Sequence, residues 1–442
     1  MARPPFMNAA GPEPAQMVRG IAEIRSAAPD FLSDLRDQYG KLLQFPIPKP
    51  LTYLVSDPAW VDYVLRTNAK NYGKATIQYR TLALVTGYGL LAADNTAWRE
   101  QRRMLQPAFH HDVVAGVVQH SVAATSQVLS KLDNSVNTEI DLDHEMMQLA
   151  LNVVGSALFG SDFQLRAKSV VSATLKGLDV VVSRARTPIF PPKWVPTPLN
   201  LKLQRANKTL ERAVDQIVTA AEQTPQLNTI SQLLVTELSA GNITRSQVRD
   251  ELVTFIVAGH ETVASALSWA LHLLSLNQDV QHRLAAEAVE VLGQRDPEFA
   301  DYAKLKYAKA VFNEAMRLYP PAWVLTRNAI AADEIDGVEI APGSLIVISP
   351  WVVHRDKTAW PDPTKFDPDR FLTEDRIPSG AFIPFGLGNR MCIGRDFAMF
   401  EGVIALAMLA RKFKFDPVNK ILPLPSVTVR PKHGLLLKLS AR

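Results

Sequence analysis

Residues 244–276 carry the longest helical pattern in this 442-residue chain, and they restrict the possible folds more than any other stretch. Thr244 followed by Gln247 has the form of a capping box, so the helix is expected to start there. From 245 to 276 it would span about 48 Å at roughly 1.5 Å per residue. The runs 252–258 and 263–274 are apolar nearly all round, so no face of this helix suits water. Only a large domain can bury it. Helical periodicity recurs at 30–39, 96–105, 113–132, 142–158, 165–182, 201–221, 278–292 and 304–319. Apolar alternation at 42–56, broken by Pro46, Pro48 and Pro50, reads as a β-hairpin. Short strands are expected between 335 and 349 around the turns Asp336-Gly337 and Pro342-Gly343, with another hairpin at 422–439. Residues 355–385 are proline-rich and almost patternless. The expected fold is mainly α with a smaller β portion. Residues 1–20 are expected to be a flexible Pro-rich segment and 21–442 a single domain.

Composition removes several functional classes. Apolar residues make up 47% of the chain, ample for a large core. Lys+Arg of 48 against Asp+Glu of 44 leaves a charge of +4, and no basic tract resembles a nucleic-acid arm. Pro4, Pro5, Pro12 and Pro14 interrupt the first twenty residues, which hold no apolar run, so neither a signal peptide nor a membrane anchor is expected there. A single cysteine excludes an intramolecular disulfide and fits a reducing compartment such as the cytoplasm.

That cysteine is Cys392, in Phe385-Gly386-Leu387-Gly388-Asn389-Arg390-Met391-Cys392-Ile393-Gly394. Glycines at 386, 388 and 394 let the backbone bend closely around the sulfur. Backbone N–H groups and the start of the following helix can then stabilise negative charge on it. Arg390 adds a fixed positive charge nearby. A thiolate is the form of cysteine that ligates metal. A lone cysteine is ordinarily a small buried hydrophobe; the Phe-x-x-Gly-x-Arg-x-Cys-x-Gly spacing argues instead for a ligand.

The loop resembles the haem-binding signature of the cytochrome P450 monooxygenases, and the order of elements is similar over nearly the whole chain. The resemblance implies the cytochrome P450 fold, with Cys392 as the proximal thiolate of haem iron, Arg390 as a partner of a haem propionate and Phe385 packed beside the sulfur. A thiolate axial ligand favours O–O cleavage. Covalent attachment through Cys-x-x-Cys-His needs two cysteines, so haem b held by one coordinate bond, packing and salt bridges is expected. The implied reaction inserts one oxygen atom of O2 into a C–H bond of a lipophilic small molecule. Electrons would come from a separate ferredoxin or flavodoxin with its NAD(P)H reductase, because the chain leaves no room for a fused one.

The resemblance assigns roles elsewhere too. In Ala258-Gly259-His260-Glu261-Thr262, at the middle of the long helix, Thr262 would hold a water or the oxygen ligand while Glu261 feeds protons toward it. Thr262 can bond back to a carbonyl of the preceding turn and open the helix locally. Gly259 costs a helix interior about 1 kcal/mol relative to Ala, and a small residue there would let a flat ligand or oxygen approach. Trp98 and Arg102, at i and i+4, match a propionate clamp, and Arg327 a further propionate arginine. Glu314, Arg317 and Arg370 match a buried triad with a structural role. Arg99, Arg103, Lys304, Lys306, Lys309 and Arg395 could form the docking face for an acidic electron donor.

Two motifs lead elsewhere. His260-Glu261 and His144-Glu145 each begin a His-Glu-x-x-His zinc site, but Ala264 and Gln148 stand where the second histidine belongs. Gly87-Tyr88-Gly89-Leu90-Leu91-Ala92 matches a dinucleotide fingerprint after the strand-like residues 82–86, yet it continues into Asp94-Asn95 rather than a helix. It resembles the family's substrate-facing loop. The substrate pocket would be lined from 76–92, 183–200, 255–258, 323–325 and 424–428. A peroxide-driven or non-redox haem enzyme would have less use for Glu261-Thr262. A haem sensor would need an output module.

Overall fold

The structure, a computed structural model, describes residues 4–160, 167–185, 191–192, 194–223, 229–373 and 377–442. It is 59% helix and 11% strand, which makes it mainly α with a smaller β part. The long helix runs Arg245–Leu276 through the middle of the protein. Its capping box forms: Gln247 N donates to Thr244 Oγ1 at 3.3 Å and Thr244 N donates to Gln247 Oε1 at 2.8 Å. Residues from Val248 to Ser275 are buried almost without interruption, as a helix with no polar face requires. By length and composition this helix could cross a membrane, but 83% of its apolar window is buried inside the protein.

Three further helices enclose it: Leu142–Val154, Lys306–Leu318 and Arg395–Lys412. The last supplies Val403 to Ala410, eight residues wholly withdrawn from solvent. Each buried Val, Leu or Ile of such a stretch stabilises the fold by about 1.5–3 kcal/mol before strain and entropy are counted. Gly259 answers to this packing. A Cβ there would lie 2.8 Å from Val154 Cγ2, so the missing side chain permits close helix contact.

One five-stranded sheet places strands in the order Leu42–Phe45, Thr52–Val55, Leu345–Ile348, Leu325–Ala329, Tyr72–Gly73. Only the Thr52–Val55 and Leu345–Ile348 pair is parallel. Gly73 lies opposite Asn328, which brings Lys74 next to the strand that carries Arg327. The Pro-rich N-terminal segment lies against this sheet: Asn8 N and Ala9 N donate to Gln44 Oε1 at 2.7 and 3.2 Å, and Tyr53 donates to Asn8 Oδ1 at 2.9 Å.

Several local expectations differ from what forms. Residues 82–86 are helical, within Ile77–Thr86, because Thr76 caps that helix and a short apolar run does not reveal its period. The short helix expected at 30–39 continues back to Ile21 across non-helical Ala27, two residues before Pro29. The C-terminal hairpin is split: Pro423–Pro425 pairs with Val429–Pro431, whereas Leu436–Ala441 joins Glu139–Asp141 and Phe413–Pro417 in another sheet. A helix at Ile230–Ser239 was not expected. Of the helix expected at 165–182, the described part begins at 167.

The patternless segment is held by a buried ion cluster. Arg317 Nε donates to Glu314 Oε2 at 2.6 Å, both side chains being fully buried, and Arg370 stands 3.5 Å from Glu314 Oε1. Arg317 also donates to the carbonyls of His354, Pro363 and Lys365 at 2.9, 2.6 and 3.0 Å. Asp367 N donates to Glu314 Oε1 at 2.8 Å. His354 completes the knot, its Nε2 accepting from Ile383 N at 2.9 Å, just before the cysteine loop. Burial and the neighbouring arginines hold the His354 imidazole neutral, at a pKa of about 3. Residues without secondary structure therefore have a fixed path. Glu314→Gln leaves Arg317 buried and uncompensated, and is expected to cost about 3–5 kcal/mol. Denaturant unfolding with matched m-values for both proteins measures the loss; an unchanged midpoint would contradict it.

Candidate active site

Two of the loop glycines are needed for their backbone shape. Gly386 and Gly388 both have φ of +72°, and a Cβ on Gly388 would lie 2.2 Å from the Leu65 carbonyl oxygen. The loop closes on itself where Cys392 N donates to the Phe385 carbonyl at 2.9 Å. Helix Arg395–Lys412 starts directly afterwards, with Ala398 N donating to Gly394 O at 2.9 Å. Burial pushes the Cys392 thiol up from its ordinary value, while the Gly394 N–H, Arg102 and Lys74 act the other way and favour the thiolate. Cys392 retains accessible surface although it lies deep in the fold, so its side chain faces an internal space.

Four cations gather beside it. Arg102 Nη1 donates to Met391 O at 3.0 Å, one residue from the cysteine. Arg390 pairs with Asp94 at 2.7 Å, donates to Ala93 O at 3.0 Å and stacks 4.5 Å over the buried Trp98 ring. Arg327 donates to Thr326 O at 2.8 Å and lies 3.4 Å from the Tyr79 hydroxyl. Lys74 donates to Leu91 O at 2.9 Å. Burial drives the Lys74 ammonium well below the usual lysine range, and Arg327 and Arg390 add repulsion. Arg390 is lowered to about 10 by burial, with Asp94 opposing. Among the described residues of this group Asp94 is the one carboxylate, so positive charge is in surplus. Buried cations need anionic partners. The two carboxylates of haem, with a metal that takes a thiolate, supply that complement, so these residues fit the group the sequence resemblance implies.

The structure thus brings Trp98, Arg102, Arg327, Phe385, Arg390 and Cys392 together. Phe385 contributes its carbonyl to the loop closure, and its ring packs against the main core. Phe109 joins the cysteine loop to the long helix: a Cβ on Gly394 would lie 3.8 Å from its ring, which itself sits 5.6 Å from Phe255. One helical turn beyond Phe255, Ala258, Gly259 and Thr262 are half-exposed on a helix otherwise buried at this level. Thr262 Oγ1 donates to Ala258 O at 2.7 Å, as expected, yet the helix continues without a break. Glu261 is buried, one oxygen accepting from Thr428 at 3.3 Å and the other without a partner. Desolvation raises its pKa, and Arg430 opposes that shift.

The loop with the misleading fingerprint covers the long helix. Tyr88 N donates to Asp250 Oδ2 at 2.8 Å and Leu90 N to Glu251 Oε2 at 3.0 Å. A Cβ on Gly87 would strike Asp250 at 1.9 Å and one on Gly89 would lie 2.5 Å from Thr254 Oγ1, which explains both glycines without a nucleotide. Trp323 Nε1 donates to Ser426 O at 3.0 Å, so 323–325 and 424–428 meet on another side. Residues 186–190 and 193, within the expected lining segment 183–200, lie outside the described residues.

Sequence reasoning missed Lys74, Asp94, His354 and Arg430, and it placed Thr428 in the pocket lining without pairing it with Glu261. Lys74 and Asp94 belong to no motif and become neighbours of the cysteine only through strand pairing and the loop that follows. Thr428 and Arg430 lie far along the chain from Glu261, so no local pattern links them to it.

A family model described as cytochrome P450 matches residues 10–438. Cyclooctatin synthase of Streptomyces melanosporofaciens is 34% identical over 423 residues, 92% of this chain and 88% of that protein. Cyclooctat-9-en-7-ol 5-monooxygenase of the same organism is 30% identical, covering 88% of this chain and 85% of its own length. The crystal structure of CYP175A1 from Thermus thermophillus superposes with a TM-score of 0.79 at 32% identity, over 96% of this chain and 97% of that one. With the cysteine loop, the surrounding cations and the long helix all in place, the chain belongs to the cytochrome P450 family of haem-thiolate monooxygenases.

Proposed function

We propose that Cys392 is the axial ligand of haem b and that this chain hydroxylates a lipophilic small molecule with electrons from a separate ferredoxin or flavodoxin. The observation that carries the reading is the surplus of cations around the one thiol, Lys74 and Arg327 buried, Arg102 and Arg390 partly so. When bound, haem supplies O2 activation: two electrons and two protons are consumed, one oxygen atom leaves as water and the other enters a C–H bond. Arg102, Arg390 and Arg327, joined by Lys74, would hold the propionates, with Trp98 fixing the plane of the Arg390 guanidinium. The Gly394 N–H and the start of helix Arg395–Lys412 stabilise negative charge on the sulfur.

The protein's own part in the chemistry is to deliver protons and exclude bulk water. Thr262 sits where its hydroxyl oxygen can accept from a water while its proton stays on Ala258 O. Burial shifts Glu261 toward its protonated form, which favours its acting as a proton donor one residue away. Phe109, Phe255 and the loop 87–92 wall this space with mostly apolar surface, which favours a lipophilic substrate. One relative's name is that of a monooxygenase acting on cyclooctat-9-en-7-ol, an unsaturated alcohol, and a lipophilic compound of that kind is the substrate class proposed here.

Electron entry is assigned to the outer side of helix Asn95–Leu105. Arg99 and Arg103 are exposed there, beside a shallow depression that also includes Arg102, Gln106 and His110. Arg102 reaches from that depression to Met391, so the surface and the thiol are one residue apart. Cytoplasmic location is proposed from the single reduced cysteine.

Thr262→Ala is expected to preserve the substrate-induced spin-state change while product formation falls about 100-fold and reducing equivalents appear as hydrogen peroxide. Fully coupled hydroxylation by that variant would overturn the relay. Arg99→Glu with Arg103→Glu is expected to slow reduction by an acidic ferredoxin and to flatten its ionic-strength dependence. Unchanged rate and salt dependence, measured by stopped-flow absorption, would overturn the docking face.

A further inference from the structure

The strand Val429–Pro431 lies directly on the long helix, since Ser265 Oγ and Trp269 Nε1 both donate to Val429 O, at 2.7 and 2.8 Å. From this strand and the residue before it, Arg430 and Thr428 approach the Glu261 carboxyl. Arg430 is itself anchored: it donates to Asp143 Oδ2 at 2.5 Å, and Ser268 Oγ donates to Asp143 Oδ1 at 2.8 Å.

Three buried atoms in this neighbourhood have no protein partner: Glu261 Oε2, His260 Nε2 and Arg430 Nε. Their hydrogen-bonding characters are complementary. His260 is fully buried with Nδ1 against the Ile256 carbonyl, so its proton sits on Nδ1 and Nε2 is an acceptor. Burial lowers that imidazole to a pKa of about 4, so it is neutral at ordinary pH. Arg430 Nε is a donor and nothing else. Orphaned buried polar atoms are rare and are commonly met by ordered water. Arg430 acts electrostatically on both His260 and Glu261. In donor and acceptor character the three are matched by a single water that accepts from Arg430 Nε–H and donates to His260 Nε2 and to the Glu261 carboxylate.

We propose that Arg430 is a positioning residue for the Glu261 carboxyl, and that Arg430, His260 and Glu261 bind one buried water through which Glu261 regains its proton. The proposal rests on the reading of Glu261 as a proton donor. After Glu261 has given up its proton, the water passes one to the carboxylate. The hydroxide left behind is reprotonated from solvent through a further water at the partly exposed Asp143–Arg430 pair. The charged groups acting on Glu261 are Arg430, which favours the carboxylate, and Asp143 and Asp179, which disfavour it. Asp179 is itself paired with Lys202 at 2.9 Å. Removing the Arg430 cation therefore raises the pH at which Glu261 ionises.

The test uses the haem-loaded protein and two readouts. Infrared difference spectra of the parent minus Glu261→Gln follow the carboxyl stretch of Glu261 as pH changes. Arg430→Gln is expected to move that titration to higher pH, and Arg430→Lys to return it toward the parent position. Peroxide released per electron consumed is expected to rise several-fold in Arg430→Gln, with the Arg430→Gln, Glu261→Gln double variant no worse than Glu261→Gln alone. A titration that stays in place in a folded Arg430→Gln overturns the proposal. Should that variant not fold, Thr428→Val removes the other partner of Glu261 and must shift the titration in the same direction; no shift again overturns it. If Glu261→Gln remains fully coupled, the donor reading of Glu261 fails, while the infrared titration still decides whether Arg430 controls that carboxyl.

Discussion

The arrangement around Cys392 depends on a cluster of buried and half-buried positive charge that the protein neutralises only in part. Lys74, Arg102, Arg327 and Arg390 converge beside the thiol, with Asp94 as the carboxylate among them. Such a cluster opposes folding unless an anion arrives, since burying a cation without a partner is costly. Haem, with two carboxylates and a metal that prefers a deprotonated sulfur, resolves both problems together. Two of these cations, Arg102 and Lys74, also favour the thiolate, so on the proposed assignment cofactor binding and ligand ionisation are electrostatically coupled.

Rigidity elsewhere serves that cluster. The helix Arg245–Leu276 is the axis against which other parts are positioned, and its burial leaves little freedom to shift. The Glu314–Arg317 pair then fixes an irregular segment through backbone carbonyls rather than through strands or helices. His354 passes the constraint on to Ile383, two residues before Phe385. A loop that must present one sulfur is thus clamped on both sides, by this ion cluster before it and by the start of Arg395–Lys412 after it.

The parts of this structure legible in the sequence are those with local signals. Thr244 and Gln247 announced the start of the long helix, and Gln278–Leu292 matched its periodicity residue for residue. The cysteine loop was readable because its glycines meet a backbone demand, φ of +72° at Gly386 and Gly388. The apolar run at 82–86 misled because so short a stretch cannot distinguish the period of a strand from that of a helix. The packing of Val154 against Gly259 was not foreseen, since nothing local reveals which helix will lie alongside. Lys74 and Arg430 were invisible for the same reason: both matter through partners brought near by strand pairing or by packing of distant segments.

The bond between Cys392 and iron is the point on which the site's chemistry turns. The absorption spectrum of the reduced carbonyl complex, recorded for the parent protein and for Cys392→Ser, measures it. Thiolate ligation predicts a characteristic band in the parent that is absent from a folded, haem-containing Cys392→Ser protein. An identical spectrum from both proteins, or a parent that purifies without haem, would contradict it.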